Sequence, residues 1–266
     1  MTDRIIGSSS QKDKIFILYD SIYCELHSLN HYLNIMDGLI DGNNEKIDDN
    51  LKEEKSEIAH EEDFYLDTET TSWIEHVAPH VLSSFLTGLV SHLEVGLENI
   101  CDDISKRKKI ELSRRDLTGS VIVASKKYLS IFGGFKKPSP EIWSQIEAIY
   151  DVRNVIVHAG GDIDKSNLGS NKTLKYLERM NIGLFLHSNE AKYHFWRIGN
   201  IKDLKADLLG SDQITSTKSS KNKNVKAKYV VISANFCEFA WKSIFNFFGL
   251  LNDEHKNLAE GLRIVK

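Results

Sequence analysis

The sequence predicts an all-α chain, a helical bundle carrying one small β-hairpin and a flexible acidic linker. Three observations carry that expectation. Apolar residues recur at helical spacing over long stretches. Only three of the 266 residues are proline. The hydrophobic share of 41% suffices for a substantial core, and the length suits one elaborated domain or two small ones. The expected organisation is a single domain over residues 14–251, after a disordered start over 1–13 and before a tail over 252–266.

From Lys14 to Ile40 the positions Ile15, Leu18, Ile22, Leu26, Leu29, Leu33, Met36 and Ile40 keep helical spacing, which predicts the first core helix. On its other side Cys24, His27 and His31 align. Their spacing matches no familiar zinc pattern and no fourth ligand accompanies them, so the expectation is a polar or intersubunit face and no metal. Residues 41–63 carry ten acids against three lysines and few aromatics, the composition of a flexible linker with a transient helix around Ile47–Ile58. Phe64–Glu75 has no assignable pattern.

His76–Lys109 reads as the second long helix, with Leu82, Leu86, Leu89, Leu93, Leu97, Ile100 and Ile104 on one stripe. Glu94 borders that stripe, where it either faces the same centre as Arg153 or pairs with a surface cation at the rim. Leu117–Phe132 is expected as a shorter helix and Gly133–Ser139 as a turn.

The next helix opens with Ser139 as N-cap and Pro140 in the first turn, and Gly160-Gly161 stops it. Ile142, Ile146, Ile149 and Ile156 fall on one face, and Arg153 lies in the middle of that face. A guanidinium cannot be neutralised, so an apolar face tolerates it only beside a partner, an anion or a cleft. Asn154 and His158 share a different face, four residues apart. A cation, an amide and an imidazole are thus gathered near one helix end.

The segment 162–228 is expected as an insertion. Ile182–His187 and Tyr193–Ile198 read as the two arms of a hairpin, Leu174–Met180 as a helical turn and Leu209–Asn224 as a loop. Tyr229–Leu251 is then a final helix, apolar on nearly all sides, hence central to the domain or covered by a second subunit.

The net charge of −4 is unevenly spread. Lys106–Lys137 holds ten basic residues against Glu111 and Asp116, and Thr217–Lys228 holds five lysines and no acid. Each run alone suits a solvated face; two runs framing one site suit attraction of phosphate. Arg114 and Arg115, with Glu94, are the candidate substrate-binding residues. Three scattered cysteines argue against a disulfide framework, the first ten residues lack the apolar core of a secretory signal, so none is expected, and no apolar run reaches membrane-spanning length. A soluble cytoplasmic protein without cofactor is expected. Phosphate-binding glycine loops, zinc-type cysteine pairs and nucleophile elbows are absent from the sequence.

Arg153-Asn154-Val155-Ile156-Val157-His158 resembles the signature of the HEPN superfamily (higher eukaryotes and prokaryotes nucleotide-binding domains): Arg, a polar residue often Asn, then His after four to six positions at a helix end. The likeness spans about Phe16 to Leu251, with interruptions. It implies an all-helical fold and, as in many members, a metal-independent endoribonuclease of toxin or phage-defence type, working as a homodimer in which two signature helices meet. Arg153 and His158 are then catalytic with Asn154 assisting, RNA is the substrate, and an antitoxin or regulatory partner is expected. Other members only bind nucleotides or proteins, which leaves an inactive binding module as the alternative. A helical interaction protein with a structural Arg and His is the third reading. One branch places a Tyr two residues beyond the His; here that position is Gly160, so control through its modification is not expected.

Overall fold

The computed structural model describes residues 11–54, 78–161, 184–187 and 229–264. These residues are mostly helical. The elements are α1 (Gln11–Glu54), α2 (Ala78–Lys108), α3 (Val121–Tyr128), α4 (Pro140–Ala159), β1 (Leu184–His187), β2 (Tyr229–Ile232) and α5 (Ala234–Ile264). A 3-10 turn at Arg114–Asp116 precedes α3, and a π-helical turn at Leu129–Gly133 follows it. The chain packs as two compact units. The first comprises residues up to Ser28, Val90–Glu147 and Trp241 onward; the second comprises Leu29–Leu89 and Ala148–Ala240.

Three helices have bounds other than those expected. First, α1 does not stop at Ile40 but runs to Glu54, through the first part of the predicted acidic linker. No proline interrupts residues 41–54, and recurring Glu and Lys favour continuation. Second, α3 is shorter than Leu117–Phe132. Ser120 caps it by accepting the Val123 N–H, and Ser113 and Asp116 form a reciprocal cap around the preceding turn. Third, residues 229–232 are strand rather than helix, and α5 continues to Ile264, so the expected tail is largely helical.

In the first unit the expected stripe of α2 is buried, with Leu93, Leu97 and Ile100 wholly enclosed. Ile15, Tyr19, Ile22 and Leu26 of α1 are buried in this unit too, as are Ile244, Phe247, Phe248 and Leu251 of α5. Each such side chain removed from water contributes about 1.5–3 kcal/mol. Trp143 of α4 meets Phe247 edge-on at 4.8 Å, while Phe245 on another side of α5 meets Tyr23 at 5.0 Å and His27 at 5.4 Å. The Trp241 indole N–H donates to the Leu26 carbonyl at 2.7 Å. Several sides of the greasy final helix are therefore used inside one chain.

Polar groups are enclosed here as well. His92 lies between the Glu25 carboxylate (2.6 Å) and the Ile22 carbonyl (3.1 Å). His255 is only 2% exposed, 3.4 Å from Asp103, which also pairs with Arg107. Burial, with Arg107 and Lys108 nearby, pushes the His255 pKa down to about 3.

In the second unit Leu82, Phe85, Leu86 and Leu89 of α2, Ile149, Val152 and Val155 of α4, and Phe236, Cys237 and Ala240 of α5 are buried. Tyr32 stacks on Phe85 at 6.5 Å. β1 pairs antiparallel with β2, Leu184 opposite Ile232 and His187 opposite Tyr229. β1 lies within the first arm of the expected hairpin, but it pairs with β2, from the segment expected as helix, so the observed pair is not the expected hairpin. The other arm, Tyr193–Ile198, lies outside the described residues, as do the helical turn at Leu174–Met180, the loop at Leu209–Asn224 and the stretch 64–75.

Candidate functional site

α4 forms where expected: the Ser139 carbonyl accepts the Trp143 N–H at 3.1 Å, and Pro140 occupies the first turn. The Ser139 hydroxyl also holds the Glu141 carboxyl below the ordinary carboxylate range. At the other end Gly160 and Gly161 both take positive φ, +58° and +84°. The Gly161 N–H donates to the Val155 carbonyl at 3.1 Å, and the Gly161 carbonyl accepts the Val230 N–H at 2.8 Å. The last turn of α4, which carries His158, is therefore tied to β2.

Arg153 is half-buried. Its Nη1 donates to Asn154 Oδ1 at 3.0 Å, and its guanidinium carbon lies 5.2 Å from the centre of the Tyr150 ring. An apolar face tolerates this cation because an amide oxygen and a π face receive it. Tyr150 was not among the candidates from sequence, although the i, i+3 relation to Arg153 is a signal that finds it.

His158 is exposed. Five residues on a helix turn through about 500°, so its side chain leaves α4 about 140° around the axis from Arg153. One copy of the helix does not bring guanidinium and imidazole to one point. Asn154 stands between them, bonded to Arg153 and one turn before His158 on the same face. Its carboxamide nitrogen keeps two donors suited to an anion.

The other candidates belong to the first unit, whereas Arg153, Asn154 and His158 belong to the second. Glu94 is half-buried on α2. Arg115 donates through Nε to Glu98 Oε1 at 2.8 Å, and Arg114 reaches the same oxygen at 3.5 Å. The Arg115 hydrogen bond, aided by both positive charges, holds the Glu98 carboxyl below its ordinary range. Much of the basic run is similarly engaged within the chain. Arg107 pairs with Asp103, Lys126 with Glu147 at 3.2 Å, and Lys108 caps the Phe132 and Gly133 carbonyls at 2.7 and 3.0 Å. The lysine run at 217–228 lies outside the described residues.

Among the described residues no group of three or more His, Cys, Asp or Glu is placed to hold a metal ion. His27 packs against Phe245 and Trp241, and Cys24 is exposed. Burial pushes the Cys101 thiol up to about 12 and raises that of Cys237, which disarms both as nucleophiles. Among the described residues no helix is long and apolar enough to cross a membrane. No family model, curated protein or solved structure matches the chain.

Proposed function

We propose that this chain is a metal-independent endoribonuclease of HEPN type, cleaving RNA at a composite site between two copies. The observation that carries the reading is the coupling at the end of α4: Arg153 held on Asn154, with Asn154 one turn ahead of exposed His158. The chemistry is attack of the ribose 2′-OH on the adjacent phosphorus. The O2′–P bond forms, the P–O5′ bond breaks, and the products are a 2′,3′-cyclic phosphate and a 5′-OH. Imidazole is the side chain suited to moving these protons near neutrality, and His158 supplies it. Arg153 opposes the charge growing on the phosphoryl oxygens. Asn154 orients Arg153 and offers its amide donors to the phosphate.

The separation of Arg153 and His158 around α4 supports a homodimer, in which a second copy sets its own groups across the same cleft. The need for a 2′-OH confines the reaction to RNA. A toxin or phage-defence role, with an antitoxin or regulatory partner, follows from the HEPN resemblance. The second reading is an inactive HEPN module that binds a nucleotide or a partner protein. The engagement of Arg153 by Tyr150 and Asn154 favours it, since a held cation can bind an anion without chemistry.

Incubating the purified protein with total RNA in EDTA, beside Arg153→Ala and His158→Ala, tests both readings. Cleavage by the wild type alone supports the nuclease. Intact RNA with Arg153-dependent nucleotide binding supports the module. Intact RNA and no binding ends both.

A further inference from the structure

The geometry points to Tyr150 as a positioning residue for Arg153, a role that rests on the proposed use of that guanidinium toward phosphate. Tyr150 and Arg153 are three residues apart on α4, so their side chains meet on the helix surface. The guanidinium carbon lies over the ring at 5.2 Å from its centre, within the range of cation–π attraction. Nη1 is fixed separately on Asn154 Oδ1 at 3.0 Å. Two contacts of different kinds, one to the face of the group and one along its edge, therefore restrain it.

A long arginine side chain ordinarily loses rotamer freedom when it engages a ligand. Here the ring and the amide have set the guanidinium before a phosphate arrives, so less freedom is lost at the moment of binding. The ring also supplies attraction without supplying an acceptor. Half-buried Tyr150 restrains Arg153 from within α4 itself.

The test uses the full-length protein and two readouts. The first is cleavage of a defined RNA oligonucleotide in EDTA by wild type, Tyr150→Leu and Tyr150→Phe. Loss of the ring in Tyr150→Leu is expected to lower kcat roughly tenfold, and Tyr150→Phe, which keeps the π face, restores it. Equal rates for the two variants overturn the inference. The second readout is the rotation of the Arg153 guanidinium about its Nε–Cζ bond, followed by nitrogen NMR of the side chain without substrate. Faster rotation in Tyr150→Leu but not in Tyr150→Phe is expected, and unchanged rotation in both overturns the inference. Wild-type protein that cleaves no RNA sinks the nuclease reading, while the NMR result still decides whether Tyr150 holds Arg153.

Discussion

Arg153 Nη1 donates to Asn154 Oδ1 at 3.0 Å, and this contact links two sides of α4 that helical geometry otherwise keeps apart. Asn154 occupies the face that His158 occupies one turn later, whereas Arg153 lies on the apolar side. The amide is thus the hinge of the proposed site.

Replacing Arg153 with Lys keeps the charge but loses the planar fork that engages Asn154 and that the proposed reaction needs toward phosphate. Cleavage of a defined RNA in EDTA is expected to fall about 100-fold, as when one preorganised donor to a transition state is removed. Asn154→Ala should fall less, about tenfold, because the charge remains but loses its anchor. An Arg153→Lys protein cleaving at the wild-type rate would remove the bidentate role.

His158 is exposed on the last turn of α4, so His158→Ala should leave the thermal midpoint within about 2 °C of wild type. The same change should lower cleavage about 100- to 10,000-fold, the usual range for loss of a proton-transfer group. A variant that unfolds instead assigns His158 to the fold.

His255 gives the stability a pH dependence of known sign. Its folded pKa is depressed to about 3, whereas an imidazole in the unfolded chain titrates near ~6.5. As pH falls below about 6.5 the unfolded chain takes up the proton first, and stability declines toward the folded pKa by at most ~1.4 kcal/mol per pH unit. Asp103, raised by burial, acts in the opposite sense at lower pH, so the window to examine is pH 7 to about 5.5. Urea midpoints should drop over that window in wild type and flatten in His255→Phe. Equal slopes would refute the neutral, buried ring.

A Cβ at Gly161 would lie 2.9 Å from the Val230 carbonyl oxygen, a backbone atom that cannot swing aside, and φ is +84°. Gly161→Ala is expected to cost about 2–4 kcal/mol, from the clash and the left-handed backbone together. At Gly160 a Cβ meets nothing within 4 Å and only the positive φ of +58° opposes it, so Gly160→Ala should cost about 1 kcal/mol. Urea unfolding of the two variants separates the effects, and equal losses would contradict the close approach to β2.

What could be read from the chain was what repeats along it. The α2 stripe from Leu82 to Ile104 declares itself by period, and α4 by Pro140 at one end and two glycines at the other. α5 hid its bounds for two reasons. Tyr229-Val-Val-Ile232 is rich in β-branched residues, yet it abuts an apolar helix and its pattern merges with it. Beyond Leu251 the helical spacing continues through His255, Leu258 and Ala259, but a histidine does not announce itself as a core residue. Pairings across sequence were equally silent. Nothing local shows that Arg114 and Arg115 share Glu98, or that Lys108 caps the turn after α3.

The hydrogen bond from Val230 to Gly161 closes a ring in the polypeptide. The chain departs from the end of α4 at Gly161 and rejoins at Tyr229, next to its point of departure. The segment between, which carries β1 at Leu184–His187, therefore begins and ends at neighbouring points of the fold. Because those two ends already meet, a change in the segment's length alters the closure entropy only slightly. A version joining Gly161 to Tyr229 through a few glycines loses β1, the partner of β2, and comparing its stability and RNA preference with those of the intact chain would show what the segment contributes.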